Sequence, residues 1–254
     1  MAKLKASYDT RGFALLEGLF DDSEIQLIRT EAEIPCSDAS RVRFEKDQTS
    51  LYIRYGIHQD AQVFANLVRD IRCVGAASEA LGSDVYLHQS KLNAKTAFTG
   101  SDFSWHQDLA YWKARDGIPE PQALSVALFV DDVTPVNAPL FVMPGSHAAG
   151  LLPTAKYDLS QQQVQAAASQ FGIEAILGRR GTMLIFSSTL IHASPPNISP
   201  IGRRIIYLSY NAVSNVQPDT GSASADFLAS SDFTPIVAEV GRLDRPARTL
   251  AAHN

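Results

Sequence analysis

The sequence has few cysteines and no long apolar segment. Cys36 and Cys73 are its two cysteines among 254 residues; they could pair, but reduced thiols in a cytoplasmic protein are favoured. The N-terminal residues contain no long apolar stretch, so we expect no signal peptide. No apolar run is long enough to span a bilayer. These features predict a cytoplasmic protein without a membrane partner.

The charge balance gives no sign of a nucleic-acid partner. The chain carries 22 Lys and Arg against 27 Asp and Glu, a formal net charge of −5, whereas a nucleic-acid footprint is basic. No Lys/Arg cluster suggests an anionic membrane surface. The sequence also lacks a Walker-type or dinucleotide-binding glycine loop and a nucleophile elbow. We therefore expect a small-molecule substrate and a monomer or homodimer.

The pattern of short elements predicts the fold class. No internal repeat, low-complexity tract or Gly/Ser linker interrupts the chain, so we predict a single domain over 1–254. It would contain N-terminal helices at about 20–82, a core at about 83–215 and a C-terminal tail at 216–254. Helical patterns begin at Asp21 and cover 61–81 and 159–171, and strand patterns cover 12–16, 50–55, 84–92, 124–130, 182–186 and 204–213. The prediction is mainly β with flanking α: a double-stranded β-helix (jelly-roll, cupin-like) core with helices packed outside it.

The segment Trp105–His106–Gln107–Asp108 and the distant His192 form the pattern that carries chemistry. On an extended strand, residues i and i+2 point to the same face, so His106 and Asp108 can hold one metal ion together. A histidine on another strand, in the facing sheet, would complete the set. Two imidazoles and one carboxylate leave three coordination positions open, which is the facial triad of Fe(II) oxygenases.

A His-x-Asp tripeptide alone is weak evidence, since a surface histidine bonded to a carboxylate gives the same pattern. The downstream Arg203–Arg204 pair strengthens the metal interpretation. Arginine binds a carboxylate through two parallel hydrogen bonds, as a dicarboxylate co-substrate requires. One of the two arginines is expected to be only a solvated strand start.

An ordered series of motifs between about 83 and 215 resembles the phytanoyl-CoA dioxygenase superfamily of Fe(II)/2-oxoglutarate oxygenases. The resemblance is strongest to its ectoine hydroxylases and free-amino-acid hydroxylases. It rests on the segments 85–93, 103–108, 116–119, 144–147, 181–186, 192–200 and 210–213 and on Trp112.

The resemblance implies a set of site residues. The iron ligands would be His106, Asp108 and His192. The 2-oxoglutarate site would contain Arg203, Ser194 and Asn93. The substrate would contact Gln89, Trp112, Phe186, Tyr55 and Tyr207. The implied cofactors are Fe(II), 2-oxoglutarate and dioxygen. Asp108 argues against a halogenase, since such enzymes leave the carboxylate position vacant for chloride.

Several positions depart from the ectoine hydroxylase pattern. Ile205 replaces a polar substrate contact, Tyr207 and Tyr55 replace phenylalanines, and Ala127 replaces a serine. The apolar Ile205–Ile206 pair resembles the amino-acid hydroxylases. That branch tends to carry an arginine at the position of Ser231, so a substrate carboxylate would need another partner here.

The sequence therefore predicts a dioxygenase that hydroxylates an unactivated C–H bond of a small polar metabolite and releases succinate and CO2. A free aliphatic or cyclic amino acid is the favoured substrate, with an ectoine-type compound as the alternative. A non-catalytic jelly-roll protein that binds metal and 2-oxoglutarate is a second class. A zinc hydrolase would need a general base, and no Glu is placed for that role. His58, His88 and His147 are expected to be structural.

Overall fold

The computed structural model describes residues 2–216 and 225–245, so the predicted tail at 216–254 lies partly outside the described residues. The helices are α1 (Ala2–Arg11), α2 (Asp22–Glu33), α3 (Gln62–Arg69), α4 (Ile71–Leu81), α5 (Asp108–Asp116) and α6 (Gln161–Phe171). The strands are β1 (Phe13–Leu16), β2 (Val42–Phe44), β3 (Leu51–Tyr55), β4 (Val85–Lys95), β5 (Phe103–His106), β6 (Ala123–Phe129), β7 (Leu140–Val142), β8 (Glu174–Ile176), β9 (Met183–Ser187), β10 (His192–Ser194) and β11 (Arg203–Ala212). Within these described ranges, no helix is both long and apolar enough to cross a membrane.

Two antiparallel sheets form the body of the fold. The large sheet has seven strands in the order β1-β9-β6-β11-β4-β3-β2, and the small sheet has four in the order β5-β10-β7-β8. The predicted jelly-roll core with outer helices is therefore confirmed. The large sheet extends beyond the predicted core at 83–215, because β1, β2 and β3 join it.

The large sheet is buried on both faces because its strands alternate between two apolar clusters. On β11, Ile206 and Leu208 belong to the cluster shared with the helices, whereas Ile205 and Tyr207 belong to the cluster shared with the small sheet. Successive side chains of a strand point to opposite faces, so this alternation fixes the register of β11. Arg203, two residues before Ile205, therefore faces the space between the sheets.

The helices begin where the sequence offers capping side chains. Asp21 and Glu24 form a capping box at the start of α2, as the pattern at Asp21 predicts. The single helix predicted at 61–81 is wrong, because the chain breaks into α3 and α4 at Asp70. Asp70 is extended and its carboxylate accepts a hydrogen bond from the backbone N–H of Arg72 at 2.9 Å. An aspartate favours such an N-cap over a helix interior.

Candidate metal centre

Three side chains from distant parts of the chain converge between the sheets. The candidate ligand atoms of His106, Asp108 and His192 all lie within 4.8 Å of one another. The Oδ1 atom of Asp108 lies 3.6 Å from Nε2 of His106 and 3.7 Å from Nε2 of His192. The two imidazole ring centres are 4.2 Å apart. This cluster is compact enough for a single ion to contact all three side chains.

The elements that carry the cluster differ from the prediction in two respects. His106 ends β5 and His192 begins β10, and the two residues are register partners in the small sheet. The expectation that the ligands lie on two facing sheets is wrong. Asp108 is also not on the strand of His106, because Gln107 is the extended N-cap and Asp108 is the first residue of α5. The strand-to-helix turn brings the carboxylate to the histidines.

The backbone orients both imidazoles. The Nδ1 atom of His106 lies 2.6 Å from the carbonyl oxygen of Ser104, and Nδ1 of His192 lies 2.9 Å from that of Leu190. A carbonyl only accepts hydrogen bonds, so each Nδ1 carries the proton and each Nε2 lone pair is available to a metal. Burial, together with nearby His106, lowers the pKa of His192 to about 4. The imidazole of His192 is therefore neutral at neutral pH.

The carboxylate of Asp108 is oriented by Ser125 of β6. The hydroxyl of Ser125 donates to Oδ2 at 3.1 Å, while Oδ1 faces the histidines. Burial alone would raise the pKa of Asp108, but the imidazoles of His192 and His106 hold that pKa well below its usual range. Our sequence reasoning missed Ser125. A single serine within the apolar run 124–130 was the available signal, because a buried hydroxyl requires a partner.

The cluster opens into a cavity of about 180 Å³. Seven residues predicted for the co-substrate and substrate sites line it: Tyr55, Gln89, Asn93, Trp112, Phe186, Ser194 and Tyr207. The sequence prediction did not include several other lining residues, among them Lys91, Tyr111, Arg115, Leu140 and Leu228. These come from four separate stretches of the chain, so only the folded topology brings them together.

Local contacts place several of the lining side chains. Phe186 is fully buried and its ring meets His192 edge-on, with ring centres 5.0 Å apart. Trp112 packs edge-on against His88. The amide of Gln89 donates to the carbonyl oxygen of Leu228 at 2.5 Å. The segment around Leu228 therefore forms part of the cavity wall.

Arg203 lies behind the cavity rather than on its lining. It is fully buried at the start of β11 beside Lys95 of β4. Its Nε and Nη2 atoms donate to the carbonyl oxygen of Ala138 at 3.0 and 2.6 Å. Its Nη1 atom has no hydrogen-bond partner among the described residues. Such an orphaned buried donor is uncommon and is expected where an anionic ligand belongs.

The residues that favoured an amino-acid substrate do not reach the cavity. Ile205 is fully buried between the sheets, and Ile206 points to the opposite face, toward the helices. Neither residue lines the cavity. Strand alternation and sheet packing already account for both side chains, so the pair gives no support to an amino-acid substrate. Tyr207 is the lining residue of this stretch.

The remaining candidates have other partners. His58 bonds Ser90, His88 bonds Asp116, and His147 bonds the carbonyl oxygen of Asp9. Arg204 is half-buried and ion-paired with Asp131 rather than solvated. Ser231 is exposed and its hydroxyl donates to Asp226.

The donor set of the cluster fits Fe(II). The cluster offers two imidazoles and one carboxylate, and the protein holds the second polar atom of each. This set matches the facial triad of mononuclear Fe(II) oxygenases. A closed structural zinc site would use four protein ligands. Among the residues described here, the cluster provides three.

Comparison with known proteins gives the family. The phytanoyl-CoA dioxygenase (PhyH) model matches residues 8–205. An ectoine dioxygenase from Nocardia farcinica is 35% identical in an alignment of 254 positions that covers 91% of this chain and 85% of the relative. An ectoine dioxygenase from Bordetella bronchiseptica is 36% identical in an alignment of 229 positions that covers 82% of this chain and 74% of the relative.

Solved structures agree with the sequence relatives. EctD from S. alaskensis, crystallised with 2-oxoglutarate and 5-hydroxyectoine, superposes with a TM-score of 0.87 at 32% identity and covers 96% of this chain and 88% of EctD. The same protein with bound Fe gives a TM-score of 0.85 at the same identity and coverage. Because the family model matches most of this chain, the chain belongs to the phytanoyl-CoA dioxygenase family of Fe(II)/2-oxoglutarate-dependent oxygenases.

Proposed function

We propose that this chain hydroxylates ectoine, with 2-oxoglutarate as the co-substrate and Fe(II) held by His106, Asp108 and His192. The observation that carries the proposal is the triad on the lining of an aromatic-walled cavity in a chain whose relatives are ectoine dioxygenases. When bound, Fe(II) couples the oxidative decarboxylation of 2-oxoglutarate to insertion of an oxygen atom from dioxygen into a C–H bond. The protein's own residues bind and orient the reactants.

The proposed co-substrate site uses the orphaned donor behind the cavity. Arg203 would hold the distal carboxylate of 2-oxoglutarate, since its Nη1 atom is buried without a partner among the described residues. Ser194 and Asn93 line the cavity and would supply further polar contacts. A charge-assisted bond to a buried guanidinium also favours a dicarboxylate over a monocarboxylate.

The proposed substrate site has walls that suit ectoine. Ectoine is a small ring that carries a protonated amidine and a carboxylate. Tyr55, Trp112, Phe186 and Tyr207 line the cavity, and aromatic faces attract delocalised cations while they exclude water. A cavity of about 180 Å³ suits a ring-sized molecule rather than a coenzyme A thioester. Support for a free aliphatic amino acid rested on Ile205 and Ile206, which lie away from the cavity.

The test is a coupled turnover assay. The purified protein is supplied with Fe(II), 2-oxoglutarate and air together with ectoine or each of a panel of free amino acids, and products are measured by mass spectrometry. We expect ectoine to gain one oxygen atom and succinate to appear in equal amount. Asp108→Ala should abolish both products, whereas Arg204→Met, a change on the opposite face of β11, should retain them.

Two results would contradict the proposal. Hydroxylation of a free amino acid with ectoine unchanged would refute the substrate and leave the reaction class intact. Iron-loaded wild-type protein that forms no succinate with any compound would favour a non-catalytic binding protein.

A further inference from the structure

One face of helix α5 carries groups of three different kinds into the same cavity. Asp108 at its first position is a candidate iron ligand, Tyr111 and Trp112 are aromatic walls, and Arg115 is a cation. An α-helix turns once every 3.6 residues, so positions 108, 111, 112 and 115 share one face. The helix therefore places a candidate metal ligand, the aromatic walls and a cation in a row along one face.

The helix also sets the distance between Asp108 in its first turn and Arg115 in its last turn. Seven residues at 1.5 Å each separate Asp108 from Arg115 by roughly 10 Å along the axis. Long side chains on a helix lean toward its N-terminus, which directs Arg115 toward Trp112. Arg115 is exposed yet lines the cavity, so it lies at the mouth and not at the metal.

We propose that Arg115 binds the carboxylate of the substrate at the cavity mouth and thereby presents the far side of the substrate ring to the metal centre. This inference rests on the proposed function, because it assumes a small substrate with a carboxylate. The planar guanidinium can hold a carboxylate through two parallel hydrogen bonds. Trp112, one turn earlier on the same face, would pack against the ring.

The other cation on the cavity lining lies on a different wall. Of the described lining residues, Lys91 and Arg115 are the Lys and Arg side chains. Lys91 is on β4 opposite Tyr207 of β11, and its Nζ atom lies 5.4 Å from the centre of the Tyr207 ring. Lys91 thus shares the sheet wall with Asn93, which is proposed for 2-oxoglutarate. Arg115 is the cation on the helix wall.

The cavity wall beside Arg115 also carries an acidic side chain. Asp116 lines the cavity next to Arg115, and its Oδ2 atom lies 3.2 Å from Nε2 of His88. Adjacent charges of opposite sign suit a zwitterion, in which the carboxylate meets Arg115 and the cationic part lies between Asp116 and the aromatic walls.

The test compares paired probes that differ only in the carboxylate. Isothermal titration calorimetry on the anaerobic protein loaded with Fe(II) and 2-oxoglutarate measures binding of ectoine and of its carboxamide, and of L-proline and L-prolinamide. The variants are Arg115→Gln and Arg115→Lys. The matched control is Lys113→Gln, which removes an exposed charge from the last turn of the same helix, where Lys113 bonds the carbonyl oxygen of Pro119.

We expect the wild type to prefer ectoine over its carboxamide, and Arg115→Gln to weaken ectoine binding about tenfold while carboxamide binding barely changes. Arg115→Lys should recover part of the loss, and Lys113→Gln should behave as wild type. The affinity for 2-oxoglutarate should stay constant in all variants. If proline shows this pattern and ectoine does not bind, the proposed substrate is wrong and the role of Arg115 stands.

Two outcomes would overturn the inference. One is an acid-to-amide preference that Arg115→Gln leaves unchanged, even though ectoine is bound and hydroxylated. The other is a wild-type protein that shows no preference for the acid in either probe pair.

Discussion

The substitution Arg203→Met distinguishes the effect of the buried guanidinium on stability from its role in binding 2-oxoglutarate. In the ligand-free protein, the guanidinium donates twice to the carbonyl oxygen of Ala138 and leaves Nη1 unpaired among the described residues. The two lost hydrogen bonds contribute about 1.5–3 kcal/mol each, and removal of the buried guanidinium recovers its desolvation penalty, which is several kcal/mol. These contributions nearly cancel, so we expect the free energy of unfolding to change by about 1 kcal/mol or less.

Binding of 2-oxoglutarate should respond very differently. Removal of one partner of a buried ion pair costs about 3–5 kcal/mol, which weakens binding by roughly two to four orders of magnitude. Urea unfolding of the ligand-free protein measures the first quantity, and anaerobic titration calorimetry with 2-oxoglutarate in the presence of Fe(II) measures the second.

The neighbouring arginine provides the matched control. Arg204 pairs with Asp131 at 2.8 and 3.1 Å on the other face of β11. Arg204→Met should therefore lower stability by about 1 kcal/mol and leave 2-oxoglutarate binding unchanged. An Arg203→Met protein that unfolds far more easily yet binds 2-oxoglutarate normally would show that Arg203 is structural and refute the reasoning.

Three further predictions concern the metal centre. Ser125→Ala should reduce Fe(II) affinity by about 10- to 100-fold in an anaerobic titration, because Asp108 loses the hydrogen bond that orients it; unchanged affinity would exclude that role. Burial lowers the pKa of His192 from 6.5 to about 4, so between these values the unfolded chain binds a proton that the folded protein does not. The free energy of unfolding of the metal-free protein should then fall by up to roughly 3 kcal/mol as the pH drops through this window. In urea unfolding, the His192→Phe variant should not show this pH-dependent loss of stability. Phe186→Ala should cost about 3–5 kcal/mol of stability, since Phe186 is fully buried, and a loss below 1 kcal/mol in urea unfolding would contradict the packing described.

The sequence predicted the members of the cluster better than their positions. Residue types, spacing and the family resemblance together selected His106, Asp108 and His192, because few donor combinations suit an open iron site. The supporting elements were assigned incorrectly, since the turn after Gln107 starts a helix where simple alternation predicts a strand. Spacing along the chain also carries no information on which sheet a short strand such as β10 will join.

Residues that depend on tertiary register were the hardest to predict. Arg115 and Leu228 reach the cavity only because α5 and the segment 225–236 pack against β4 and its neighbours. In the sequence, Ile205 stands at a position that the resemblance assigns to a polar substrate contact, but the packing of β11 between β4 and β6 buries it. The strand patterns at 12–16 and 50–55 were predicted, and the structure shows that they extend the large sheet.

Isotopically labelled dioxygen is the decisive probe of the proposal that this chain is a 2-oxoglutarate-dependent dioxygenase acting on ectoine. The anaerobic enzyme loaded with Fe(II), 2-oxoglutarate and ectoine is exposed to labelled dioxygen, and the masses of both products are measured by mass spectrometry. We expect one labelled oxygen atom in succinate and the other in hydroxylated ectoine, with the two products formed in equal amounts. Succinate without label, or ectoine recovered unchanged while succinate accumulates, would contradict the proposal.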